Sequence, residues 1–130
     1  MKLIFKKGDK KIYKTIVKPE DQAAFHGKVL HAVCSTFALA RDIEWSSRLF
    51  FIEMKDDDEE GVGTYLEIQH RSTAFVGEEL TITATVDSIN GNELMCLIEV
   101  KSGGRIIATG KTGQRMLKKE KLKAIFTPPT

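Results

Sequence analysis

Three residues carry groups that could transfer a proton or donate a hydrogen bond in a reaction: Thr36, Glu44 and His70. Thr36 begins an apolar, helix-like stretch, and Glu44 follows eight residues later among apolar neighbours. In a helix, the two would lie about 80° apart round the axis and about 12 Å apart along it. A carboxylate in such surroundings is either paired or functional. His70 ends a predicted strand, and imidazole is the natural proton carrier near neutral pH.

Each of these residues also has an ordinary structural explanation. Thr36 or Ser35 could cap the helix, and Glu44 could form surface ion pairs with Arg41 and Arg48. Charges on helices are usually solvated, so the helix by itself favours this explanation for the glutamate. A single histidine on an inward face is, in the same way, more often a satisfied core residue than a catalyst.

The element that must position Thr36 and Glu44 is the stretch of residues 35–54, which contains neither proline nor glycine. Apolar residues at helical spacing predict one continuous stripe, formed by Leu39, Ile43, Phe50 and Met54. The opposite side is also largely apolar, with Ala38, Trp45, Leu49 and Ile52. A helix that is apolar on nearly all sides must be wrapped by other elements.

Strands are predicted on both sides of this helix. Alternating apolar and polar residues indicate strands at 11–17, 61–70, 80–87, 93–101 and 105–117. In the strand 61–70, one inward face is predicted to carry Thr64, Leu66, Ile68 and His70. Turns are predicted at Asn90-Gly91 and at 102–104. The remaining segments are predicted as a helical turn at 19–25, an apolar connection at 28–34 and a frayed end at 118–130.

The composition suits one domain of 130 residues, with a core at about 10–117 and a basic tail at 118–130. The net charge of +2 comes mostly from interspersed charges, without the basic, aromatic-bearing stripe of a nucleic-acid-binding protein. Cys34 and Cys96 lack metal-ligand spacing, so we expect no metal site and two reduced thiols. The first residues are too little apolar for a signal peptide or a membrane span, which predicts a cytoplasmic protein.

The order of these elements predicts the fold class. A strand, a long apolar helix and then three or four antiparallel strands is an α+β order in which the sheet must bury the helix. One antiparallel sheet curled around one long central helix satisfies this requirement. This arrangement is the hotdog fold.

Residues 34–47 (CSTFALARDIEWSS) and 61–86 (GVGTYLEIQHRSTAFVGEELTITATV) resemble the fluoroacetyl-CoA thioesterase branch of the hotdog superfamily. That family has a threonine at the start of the central helix and a glutamate eight residues later, followed by an aromatic residue. It also has a glycine seven residues before a histidine on the next strand. Here these positions hold Thr36, Glu44 with Trp45, Gly63 and His70. The resemblance covers roughly residues 10–120.

The sequence departs from the family in two places. Before the helix, where the fluoroacetate-specific enzyme has a phenylalanine-rich lid, residues 21–33 contain only one aromatic residue, Phe25. The loop after His70 lacks the proline found in many relatives. The acyl preference of the fluoroacetate-specific enzyme is therefore not expected to transfer to this chain.

The resemblance implies hydrolysis of an acyl-CoA thioester with a small or medium acyl group, with coenzyme A or an acyl carrier protein as the carrier. No cofactor is expected beyond the coenzyme A that forms part of the substrate. Glu44 would be the nucleophile or general base, and His70 would carry the proton. The Gly63 N–H and the Thr36 hydroxyl would donate to the oxyanion. Phe25 is the candidate aromatic residue for substrate binding.

Other functions remain open from the sequence. A non-catalytic binder of acyl-CoA or a small hydrophobic ligand would keep the pocket without needing Glu44 and His70. A hydratase would need an aspartate near His70, and none is present there. A purely structural protein would need none of these groups. We expect a homodimer, because exposed edge strands and an uncovered helix flank require a partner, and we expect neither a nucleic-acid nor a membrane partner.

Overall fold

The computed structural model describes residues 1–129, in which one long helix packs on one face of a five-stranded antiparallel sheet. The strands are β1 (Lys10–Ile16), β2 (Gln22–Phe25), β3 (Lys28–Cys34), β4 (Glu59–His70), β5 (Glu79–Asn90), β6 (Glu93–Ser102) and β7 (Arg105–Lys118). The helices are α1 (Thr36–Met54) and α2 (Lys119–Ile125), and a 3-10 turn spans Pro19–Asp21. The predicted α+β hotdog architecture is confirmed.

The main sheet has the strand order β1-β5-β6-β7-β4, which makes β1 and β4 its two edges. The hairpins β5–β6 and β6–β7 close with two-residue loops, since Asn90 pairs with Glu93 and Ser102 with Arg105. Gly91 and Gly103 adopt positive φ in these loops, as tight hairpin turns require. Both predicted hairpins are therefore present.

The core lies between α1 and the inward residues of the sheet. The predicted helix stripe is fully buried, at 0% exposure for Leu39, Ile43, Phe50 and Met54. It packs in one cluster with the inward residues of β5, which are Leu80, Ile82, Ala84 and Val86. The opposite side of α1 is not wrapped in the single chain, because Trp45 is 41% and Ile52 46% exposed. The uncovered helix flank expected from the sequence is therefore present within residues 1–129.

Two sequence predictions need correction. The helical turn expected at 19–25 is confined to Pro19–Asp21, and the following residues form β2, which pairs with β3 as a separate hairpin. This hairpin closes at His26 and Gly27, both at positive φ. The tail is also more ordered than predicted, because α2 forms and buries Leu122. Thr130, the last residue of the predicted tail, lies outside the described residues.

A bulge in β4 decides which of its residues face the helix. Gly63 pairs with Gln114 and Tyr65 with Gly113, so Thr64 is an extra residue in the ladder. Beyond the bulge, His70 pairs with Ala108, which is fully buried. Thr64 therefore does not belong to the predicted inward row, whereas Leu66, Ile68 and His70 remain on the helix side.

Neither helix within residues 1–129 combines the length and the apolar character needed to cross a lipid bilayer.

Candidate active site

Thr36 stands in the first turn of α1 with its hydroxyl available for a tertiary contact. The N-cap of the helix is Ser35, whose side-chain oxygen accepts from the Ala38 N–H at 3.0 Å. Of the two capping residues considered from the sequence, the structure therefore selects Ser35. Thr36 Oγ1 instead lies 2.9 Å from His70 Nδ1. The last residue of β4 and the first residue of α1 thus form a hydroxyl–imidazole pair.

Glu44 contacts a second position of β4, two helical turns further along α1. The Glu44 carboxylate lies directly over the Cα of Gly63, so close that a Cβ on residue 63 would be 2.4 Å from Oε1. Only glycine leaves this space open without moving the carboxylate. The structure thus joins Glu44 and Gly63 in a second pair.

The structural explanation of Glu44 is only partly correct. Arg41 does not pair with Glu44, because its guanidinium contacts Asp21 and Asp42. Arg48 lies 3.8 Å from Glu44 Oε1 and donates its hydrogen bond to the Gly61 carbonyl oxygen instead. No hydrogen bond among residues 1–129 ends on the Glu44 carboxylate, and 43% of its side chain is exposed. The carboxylate is therefore available to a bound molecule.

An open groove of about 700 Å³ runs along the uncovered side of α1 next to Glu44. Its apolar wall includes Phe37, Ala40, Trp45 and Tyr13, and Arg41 and Arg48 lie at its polar side. Phe37 is 86% exposed in the single chain. Asp42, which pairs with Arg41, also lines the groove. An apolar groove bordered by two carboxylates and two guanidinium groups can hold an acyl group beside a more polar carrier.

Phe25 is the candidate aromatic residue for substrate binding. It ends β2 beside the turn of the β2–β3 hairpin, is 63% exposed and does not line the groove along α1. Its role in substrate binding stays a prediction.

Gln114 and Ser47 adjoin the Glu44–Gly63 pair and were not among the residues predicted from the sequence. Both are fully buried, and Gln114 Nε2 lies 2.7 Å from Ser47 Oγ. The available signal was the alternation of β7, which puts a glutamine on the same inward face as the small residues Ala108 and Thr112. Glutamine side chains are mostly exposed, so a glutamine on an inward face indicates a specific hydrogen-bond contact at that position.

The described residues contain no group of three or more His, Cys, Asp or Glu side chains placed to hold a metal ion.

The fold and the similar structures define the class as a hotdog-fold thioesterase. Residues 17–120 match the family of the fluoroacetyl-CoA-specific thioesterase, FlK. The chain belongs to this family and is an acyl-CoA thioesterase, a thioester hydrolase. A search of curated proteins gives no significant match.

Solved structures share the fold of this chain. The crystal structure of a Thermus thermophilus thioesterase superfamily member is 28% identical, with a TM-score of 0.89 over 93% of this chain and 90% of that one. A structure of the fluoroacetyl-CoA thioesterase FlK is 20% identical, with a TM-score of 0.86 over 95% and 98% of the two chains. A hot-dog-like protein from Thermanaerovibrio acidaminovorans is 20% identical, with a TM-score of 0.86 over 96% of each chain.

Proposed function

We propose that this enzyme hydrolyses the coenzyme A thioester of a small or medium acyl group, with Thr36, Glu44, Gly63 and His70 at the reacting centre. The observation that supports these residues is the pair of contacts described above. The Thr36 hydroxyl is 2.9 Å from His70 Nδ1, and the Glu44 carboxylate lies against Gly63. These contacts supply a carboxylate, an imidazole and hydrogen-bond donors, which are the groups that thioester hydrolysis uses.

In the proposed reaction, an oxygen attacks the thioester carbonyl carbon and the C–S bond breaks. The attacking oxygen belongs to a water activated by Glu44 or to the Glu44 carboxylate itself, in which case water then hydrolyses the resulting anhydride. The carbonyl oxygen gains negative charge, which the Gly63 N–H and the Thr36 hydroxyl stabilise. His70 delivers a proton to the departing thiolate and recovers one from water. The products are a carboxylic acid and a free thiol.

The two pairs are too far apart in one chain to act on one thioester. Thr36 and Glu44 are separated by about 12 Å along the helix axis. Gly63 and His70 are seven residues apart on β4, which corresponds to roughly 20 Å. Reacting atoms must come within about 3–3.5 Å of each other. We infer that a complete site combines the Glu44–Gly63 pair of one subunit with the Thr36–His70 pair of its partner in a homodimer.

The free edge at β4 supports a homodimer joined along this strand. From Gly61 to His70, β4 carries a single charged side chain, Glu67, and it exposes Tyr65 and Leu66. The other edge, β1, carries three lysines, Lys10, Lys11 and Lys14. Lysines on an edge strand oppose pairing with another chain, and β4 lacks this protection. Antiparallel pairing of two β4 strands would satisfy both free edges.

The proposed location of the protein is the cytoplasm. Cys34 and Cys96 are free and buried, and burial raises the pKa of these thiols to about 11 and about 12 respectively. Both groups therefore stay protonated and unreactive near neutral pH. Two separate, unpaired cysteines suit a reducing compartment.

The decisive test of the carboxylate is Glu44→Gln, measured as free-thiol release from a series of short and medium acyl-CoA substrates. We expect turnover to fall by about a hundredfold or more, while stability changes by at most about 0.5 kcal/mol. The matched control is Glu53→Gln on the same helix, because within residues 1–129 Glu53 pairs only with Lys11 at the surface. Its turnover should equal that of the wild type. Full hydrolysis by purified Glu44→Gln would refute the proposed mechanism.

The same assay separates the enzyme from a non-catalytic binder, which would retain acyl-CoA with the thioester intact. His70→Ala should lower turnover without loss of folding. The Glu44→Gln, His70→Ala double variant should lose much less than the sum of the two separate losses, because residues that act as a unit are not additive.

A mixing experiment tests whether the site is shared between subunits. Glu44→Gln and His70→Ala homodimers are each inactive under the proposal. In a mixed dimer, one of the two sites contains both substitutions and the other contains neither. In an equal mixture with random exchange of subunits, half of the dimers are mixed and each of these has one complete site. The activity should therefore rise to about one quarter of the wild-type activity. A monomer at micromolar concentration, or a refolded mixture without activity, would exclude the shared site.

A further inference from the structure

A buried glutamine on β7 connects the sheet to the helical turn that carries Glu44. Gln114 has no exposed surface, and its Nε2 lies 2.7 Å from Ser47 Oγ and 3.5 Å from the Glu44 carbonyl oxygen. The Ser47 hydroxyl donates to the same carbonyl oxygen at 3.0 Å. Hydrogen bonds thus link each of three groups to the other two, namely the Gln114 amide, the Ser47 hydroxyl and the Glu44 carbonyl oxygen, and join the strand to the helix.

The Gln114 amide has its NH₂ group toward Ser47 and the Glu44 carbonyl oxygen. With the Ser47 hydroxyl donating to that carbonyl oxygen, Ser47 Oγ accepts the hydrogen bond from Gln114 Nε2. Both atoms that face the amide are acceptors, which requires its NH₂ group on that side. The Gln114 Oε1 is then fully enclosed and has no hydrogen-bond partner among residues 1–129. An enclosed acceptor without a partner destabilises the fold, so an apolar side chain would serve packing better than this glutamine.

Gln114 also lies directly opposite Gly63 in the β4–β7 ladder. Side chains of such a cross-strand pair are on the same face of the sheet. The two members of the pair act on the same glutamate in different ways. Gly63 leaves room for the Glu44 carboxylate, and Gln114 holds the Glu44 main chain through Ser47.

We propose that Gln114 is a positioning residue for thioester hydrolysis, which holds the Glu44 carboxylate over Gly63 by fixing the helical turn through Ser47. This inference rests on the proposed function of Glu44. Gln114 is enclosed and does not reach the groove, so it acts on the reaction only through this turn. The amide that supplies the Nε2 donor also brings Oε1, whose lack of a hydrogen-bond partner within residues 1–129 lowers the stability of the fold.

The test is Gln114→Met, which keeps a similar volume and removes both the donor and the unpartnered acceptor. We expect kcat to fall about tenfold, because a small displacement of a reacting group weakens catalysis strongly. KM for a short acyl-CoA should stay unchanged, and the melting temperature should stay the same or rise. Ser47→Ala should show the same kinetic change. The double variant should lose no more than the larger single loss, since both act through one contact.

The matched control is Thr112→Val on the same inward face of β7. Thr112 is also buried, but within residues 1–129 it makes none of the hydrogen bonds to Ser47 or Glu44 that Gln114 makes. It should keep the wild-type kcat. If Gln114→Met keeps full kcat, or lowers only the melting temperature, the inference is wrong. If Gln114→Met does not fold, Ser47→Ala decides in the same way.

The inference and the proposed function fail differently. An active Glu44→Gln would overturn the proposed function, and the inference with it. An inactive Glu44→Gln together with fully active Gln114→Met and Ser47→Ala would overturn the positioning role alone.

Discussion

The contact between Gly63 and Glu44 gives a prediction in which a single methyl group is added next to the reacting carboxylate. In Gly63→Ala, the new Cβ would lie 2.4 Å from Glu44 Oε1, whereas ordinary contact begins at 3.4 Å. The carboxylate must therefore withdraw by about 1 Å, a misplacement that can lower turnover by about a hundredfold. The side chain is partly exposed and flexible, so the displacement itself requires little energy.

We expect the stability of Gly63→Ala to be equal to or slightly above that of the wild type. Alanine restricts the unfolded chain more than glycine does, and residue 63 is not at positive φ, so the gain is at most about 1 kcal/mol. The assay combines thermal unfolding with kcat and KM for free-thiol release from short acyl-CoA substrates. The predicted result is a large loss of kcat in a protein that is as stable as the wild type.

Two other glycines provide the comparison for this variant. Gly104→Ala places its Cβ in open space and should leave both stability and turnover unchanged. Gly61→Ala places its Cβ 2.6 Å from the buried Phe51 ring and should lower stability by about 1–3 kcal/mol through overpacking. If Gly63→Ala keeps full turnover, the close placement of Glu44 beside Gly63 is not needed for catalysis and the geometric reasoning is wrong.

One prediction concerns pH. Glu78 accepts hydrogen bonds from Ser102, Arg105 and the Phe75 N–H, which lower its pKa from 4.5 to about 2. A lowered pKa stabilises the fold above pH 4.5, and this contribution is lost as the pH falls toward 2. The difference in melting temperature between the wild type and Glu78→Gln should therefore shrink from pH 6 to pH 2.5, and a constant difference would contradict this linkage.

The sequence by itself determined the elements whose periodicity is local. The stripe Leu39, Ile43, Phe50 and Met54 predicted α1, and its burial is complete. Alternation and the hairpin turns predicted the strands of the main sheet, because these signals depend on residues close together in the chain. The spacing of Thr36, Glu44, Gly63 and His70 matched a family, which named the candidate residues and the thioesterase class.

Segments with weak local signals were predicted less well. The hairpin β2–β3 was missed, because β2 has only four residues and its register with β3 is irregular. Its short strands are specified by pairing with each other and with Phe75 through Val33, not by a pattern of their own.

Only the tertiary structure decided how the candidate residues meet. Thr36 and His70 are 34 residues apart, and their contact depends on the bulge at Thr64 and on how α1 crosses β4. The tertiary structure also decided that Arg41 does not pair with Glu44, because the Arg41 guanidinium contacts Asp21, a residue of a different segment. Side-chain contacts between distant segments depend on packing and strand register, which local periodicity does not encode.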